Sequence, residues 1–242
     1  MKEKQTDQTG NDLLNGALQA LDSGGIGAVV ATLESIDDPA RAGLAFDELS
    51  RRLYRLRKDV TNMIAVAEAG VAFCLDQARR AKDAAHARTL KTTAKTIAFN
   101  AGANCWPGWG DDGIAIAPVH IQSGLKLAAV SRELVRELQL GRKQDANGTW
   151  LIGALKFADG EPAAALEYFE DVRSSAESCG DAVGALMAAG YCGLARKAQP
   201  ATASAGLREL EFALARLNEL DLKEAGFFAQ QLVVADRILL GN

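Results

Sequence analysis

The side chains best suited to chemistry are few and scattered. The chain has two histidines, His86 and His120, and four cysteines, Cys74, Cys105, Cys179 and Cys192. Neither histidine belongs to an H-E-x-x-H helix, and no C-x-x-C pair, G-x-S-x-G elbow or P-loop occurs. Each histidine lies near an expected helix start, where a buried or capping role suffices. The thiols read as small buried hydrophobes rather than a disulfide framework. Gly108, Gly110 and Gly113 formally satisfy G-x-G-x-x-G, the spacing of a dinucleotide cradle. No strand precedes them, however, and Asp111 with Asp112 would repel a pyrophosphate. Those two carboxylates also lack the further oxygen donors of a calcium loop. The reading is no catalytic residue, no metal and no cofactor. Trp106 and Trp109 then either pack over helix ends and hold a long turn, or present Trp109 to a partner.

Recognition chemistry has more to work with. Residues 41–100 hold twelve Lys/Arg against six Asp/Glu, a net of +6, while residues 141–242 hold ten against fourteen, a net of −4. Arg51, Arg55 and Lys58 share one helical stripe, and Arg88, Lys91 and Lys95 another. Beside Lys95 run Thr93, Thr96, Asn100 and Asn104. Two readings stand: a solvated face, or an electropositive surface for an acidic peptide, a phosphate or a carboxylate. On the second, Lys91, Lys95, Thr96, Asn100, Asn104 and Trp109 are the candidate partner-binding residues. The overall charge of −4, with a pI near 5.3, argues against a general nucleic-acid binder.

Helices must position these residues. The chain of 242 residues is 48% hydrophobic but only 6% aromatic, with five prolines. An alanine-rich core poor in rings suits closely packed helices, and alternating β-branched runs are few. Thr149 to Val172, TWLIGALKFADGEPAAALEYFEDV, reads as one helical hairpin. Gly153 and Ala165 permit close approach of two antiparallel helices, with Phe157 and Phe169 beside them. Gly160 ends the first helix, and Glu161–Pro162 begins the second. A single hairpin cannot bury its apolar faces, so stacked neighbours are required.

Gly153, Gly160, Ala165, Phe169 and Val172 give this hairpin a spacing that resembles the tetratricopeptide repeat (TPR) family. Trp150 lies one residue from the usual tryptophan, and Glu177 stands where a closing proline is common. The second helix continues to about Ser178, as in longer-helix variants found in bacterial regulators and scaffolds. The resemblance is best over 145–198, weaker over 39–145 and 199–242, and absent before about 38. It implies an all-α, right-handed α-solenoid of stacked antiparallel hairpins and a partner peptide or protein bound along a concave face. TPR proteins sometimes grip a carboxylate with Lys and Asn, although that spacing is not repeated here across neighbouring hairpins.

The remaining chain follows the same pattern. Residues 1–11 read as a disordered tail, and 12–38 as short helices ended or broken at Gly24–Gly25. The solenoid is expected over 39–242. Asp38–Pro39 opens a helix to about Arg57, with Phe46, Leu49, Leu53 and Leu56 facing inward. Helices over 60–82, 86–104, 118–140, 145–159, 162–178, 181–197, 203–220 and 223–240 complete four hairpins and a terminal helix. On that last helix Ala225, Phe228, Ala229, Leu232, Val233, Ala235 and Leu239 form a broad apolar face, interrupted by Asp236. Phe227, Val234 and Ile238 form a second stripe nearly opposite. Either residues 203–220 cover both stripes, or the second meets its own copy in a homodimer.

The N-terminus lacks the apolar segment of a signal peptide, and no apolar run spans a bilayer, so the expected setting is cytoplasmic. Three functions are compatible with these residues. The first is a scaffold or adaptor binding a protein or peptide in a concave groove. The second is a regulatory module responding to a small molecule or peptide. The third is a helical enzyme with its site near residues 105–117. A polar groove across several hairpins favours the first, an enclosed pocket of small-molecule size the second, and converging titratable groups in a cleft the third.

Overall fold

The computed structural model describes residues 2–241, with side chains from residue 12 onward. The tail expected over 1–11 therefore falls outside the described side chains. Every regular element among the described residues is a helix. In order these are α1 (Lys2–Glu34), α2 (Pro39–Arg52), α3 (Val60–Arg80), α4 (Ala84–Asn104), α5 (Pro118–Glu137), α6 (Arg142–Ala158), α7 (Pro162–Ser178), α8 (Ala182–Lys197), α9 (Ala203–Glu219) and α10 (Lys223–Leu240). A π turn, Leu53–Arg57, extends α2, and a 3₁₀ turn, Pro107–Trp109, lies between α4 and α5. No described helix is long and apolar enough to cross a membrane. The chain forms two compact units, residues 1–101 and 102–242, the division falling inside α4.

Local chemistry sets the helix ends. Asp38, Asp59, Asp83 and Asp181 each accept a backbone N–H of the helix they precede. His120 caps its own helix, its Nδ1 accepting from the Ala117 N–H at 3.1 Å. Three ends repeat one device. Gln139, Gly160 and Gly180 are left-handed (φ 53°, 83° and 71°), and the next N–H reaches back five residues, Leu140 to Val135, Glu161 to Lys156 and Asp181 to Ala176. This is the Schellman closure, which satisfies a carbonyl the helix leaves orphaned.

In the first unit α2 packs on α3, and α1 lies against both. The axis of α1 breaks at Gly25 (φ 68°, ψ −164°), where the sequence expects a stop. Phe46 fills the space beside Gly70, where an added Cβ would come within 2.6 Å of the phenylalanine Cβ. Buried Asp47 accepts from Asn100 of α4 at 3.0 Å. One inward assignment is corrected: Phe46, Leu49 and Leu53 are buried, but Leu56 is 74% exposed. The wider π turn shifts the register, so that Tyr54 is buried and Leu56 swings outward.

In the second unit each helix from α5 to α9 packs on the next, and α10 returns across α8, α9 and the 3₁₀ turn. Gly153 faces Tyr168 and Phe169, which an added Cβ would meet at 2.9 Å. The tighter seam joins α8 to α9. A Cβ on Gly206 would lie 2.3 Å from the Lys197 nitrogen and 2.5 Å from the Gly193 oxygen, so backbone meets backbone. Arg196 of α8 bridges Glu209 of α9 and Glu170 of α7. On α10, Ala225, Ala229, Leu232 and Ala235 are buried as the wheel implies, but Val233 is 55% exposed. Asp236, the apparent interruption, is paired with Lys197 at 2.8 Å, both largely shielded from solvent.

Candidate functional site

Gly108, Gly110 and the two tryptophans of the 105–110 turn serve packing. Trp106 is buried, with ring centroids 4.9 Å from Trp109, 5.4 Å from Trp150 and 6.1 Å from Tyr191. Trp150 and Tyr191 stack edge-on at 5.5 Å, and Phe169 joins Tyr191 at 5.1 Å. Edge-on rings bring a positive edge to a negative face. Gly108 is the residue the indole demands, since a Cβ there would sit 2.2 Å from the Trp106 ring. Trp109 is half-buried and donates its ring N–H to the Ala103 carbonyl at 2.7 Å. Burial in this cluster pushes the Tyr191 hydroxyl well above its ordinary pKa.

The polar stripe of α4 is largely engaged with its own surroundings. In the first unit, the Asn100 amide is spent on Asp47. Thr96 donates to the Thr92 carbonyl at 3.0 Å. The Lys95 ammonium lies 5.2 Å from the centre of the Phe99 ring, and its partial burial lowers its pKa. Lys91 is half-buried. Arg51 pairs with Asp47 and Glu48, and Arg52 with Glu48, so much of the positive charge is balanced on α2 itself. Asn104, half-buried, and Trp109 belong to the second unit.

The stripe on α10 divides. Val234 and Ile238 face the 3₁₀ turn, where a Cβ on Gly110 would come within 2.8 Å and 3.5 Å of their side chains. Val234 is half-buried there, while Ile238 remains 44% exposed. Phe227 remains 55% exposed, stacked edge-on against Phe228.

A site that the sequence reading missed lies where the ends of four helices meet in the second unit. A pocket of about 240 Å³ opens between the start of α6, the end of α7, the start of α8 and the start of α10. Val172 and Ala176, Met187 and Phe228 give it apolar walls. Arg142, Lys143 and Asn147 come from α6, Cys179 from the turn after α7, and Glu224 from α10. Asp181 also lines it, with its carboxylate held by the Gly184 N–H at 2.9 Å. The starts of α6 and α10 carry no side-chain cap, so their first N–H groups add positive potential.

Cys179 corrects the expectation of four buried thiols. Cys74, Cys105 and Cys192 are buried, and desolvation pushes Cys74 and Cys192 up to about 12. Cys179 is exposed, and the Arg142 guanidinium, 3.8 Å from its sulfur, lowers its pKa, helped by the Ser178 hydroxyl. No motif announced this pocket, because its lining is spread from residue 142 to residue 228. The available signal was an Arg-Lys pair directly after Gly141, combined with a cysteine in a helix-ending turn. Comparison with family models, with curated proteins and with solved structures yields no match.

Proposed function

We propose that the chain is a regulatory interaction module, built on a TPR-like right-handed helical repeat, that engages a protein or peptide partner under the control of a small ligand. The pocket between α6, α7, α8 and α10 carries this reading. It is of small-molecule scale, mostly apolar and fitted with a few polar groups, as binding pockets are. Its walls come from four separate helices, so an occupant would favour one packing of those helices over others. Differential affinity of that kind is what shifts a conformational population. Ala176→Trp places an indole in the pocket and tests the idea. Partner capture from a lysate is expected to change while the melting temperature holds. Identical partners captured with identical affinity would exclude control through this pocket.

A second reading, self-association, draws on exposed apolar side chains of α9 and α10. Phe212 is 60% exposed, and Phe227 and Val233 are each 55% exposed. A two-fold contact through Phe227 would make a homodimer. Light scattering coupled to size exclusion is then expected to report a dimer that Phe227→Glu splits. A monomeric wild type ends that reading.

A further inference from the structure

The pocket's chemistry can be taken one step further, on the premise that it is the regulatory site. We infer that its occupant is a small organic monocarboxylate with a compact apolar body. At about 240 Å³ the pocket lies just under the roughly 300–1,000 Å³ of sites for drug-sized ligands, so its occupant is small. Val172, Ala176, Met187 and Phe228 would take the apolar part. The charged end is set by Arg142 and Lys143.

These two cations differ from most others in the same unit. Arg132, Arg136, Lys156, Arg173, Arg196 and Lys197 all hold carboxylates. Among the described residues, neither Arg142 nor Lys143 is in an ion pair, and the recorded contact of Arg142 is the Cys179 sulfur. A guanidinium whose partner is a thiol can exchange it for a carboxylate, which its planar fork binds through two hydrogen bonds.

Two acids line the same pocket and limit the charge it accepts. Asp181 is committed to capping α8. Glu224 sits in the first turn of α10, where the helix dipole favours its charge. Two cations, with one carboxylate committed and one competing, suit a single negative charge better than the double charge of a phosphate. The uncapped starts of α6 and α10 add to the attraction for an anion without setting its charge.

Isothermal titration of the full chain with 3-phenylpropionate tests the inference. The neutral isostere 3-phenylpropanamide, the dianion phenyl phosphate and the zwitterion phenylalanine serve as competitors of changed charge. The acid is expected to bind, with the amide at least tenfold weaker, and to protect Cys179 from iodoacetamide. Arg142→Gln/Lys143→Gln should weaken the acid at least tenfold, and Ala176→Trp should abolish binding. Met187→Trp replaces Ala176→Trp if the latter melts early. Equal binding of acid and amide, tighter binding of the phosphate or of phenylalanine, or binding that survives both pocket-filling variants overturns the inference. If no probe binds while filling the pocket still alters partner capture, the carboxylate fails and the regulatory reading stands. If the acid binds but partner capture ignores the pocket, the regulatory reading fails and the ligand class stands.

Discussion

The 105–110 turn and the pocket at the ends of α6, α7, α8 and α10 lie in one unit and use their residues in opposite ways. The turn is dense in residue types that suggest chemistry: two tryptophans, two glycines of a formal phosphate motif and a cysteine. The fold occupies nearly all of them in packing, although the buried Trp106 ring N–H is left without a hydrogen-bond partner among the described residues. Trp106 is enclosed by rings, Gly108 makes room for its indole, the Trp109 N–H meets a carbonyl, and Gly110 lies against Val234. The pocket is assembled from unremarkable helix ends, yet Arg142 and Lys143 keep their charge without a carboxylate partner among the described residues. A residue's availability for function depends on what its neighbours leave unsatisfied, and chemical type alone does not report that.

This contrast predicts that the turn governs stability and the pocket governs reactivity. Trp106→Ala should have the largest effect, because it removes the centre of a buried ring cluster. Truncations of buried aromatics cost about 3–5 kcal/mol. Gly108→Ala should cost about 1–3 kcal/mol by overpacking, since the indole plane has to move. Denaturant melts check both, and a wild-type midpoint for Trp106→Ala would show that the cluster is not the unit's core.

Arg142→Gln should scarcely move the same melt, by about 0.5 kcal/mol or less, as is usual for exposed sites. Its effect lies in thiol chemistry. The guanidinium holds Cys179 below its ordinary pKa, so at neutral pH more thiolate is present than an isolated cysteine would have. Removing it raises that pKa, so iodoacetamide labelling at neutral pH should slow and the rate–pH profile should shift upward. In the native protein Cys179 should label first, with Cys74, Cys105 and Cys192 protected until unfolding. Equal labelling of Cys192 and Cys179 under native conditions would erase the distinction between the two regions.

The helical course of the chain was legible because its signals are local. Caps at Asp38, Asp59 and Asp181, prolines at the first helical position and glycine stops bracket the helices within a few residues. The hairpin seam at Gly153 was legible too, although its contacts are Tyr168 and Phe169. The exposure of Leu56 was not, because a π turn changes the period that a helical wheel assumes. Nor was the Gly193–Gly206 seam, which needs two helices in register before either glycine has a reason to be small. Asp236 looked like a flaw until Lys197, 39 residues away, supplied its partner. Local hydrogen bonding and periodicity act over a few residues, so the sequence by itself determined the helices from α2 onward and most of their ends. The pairing of charges, the cover over Val234 and the pocket beside Cys179 arise only where distant segments meet, and the tertiary structure alone decided them.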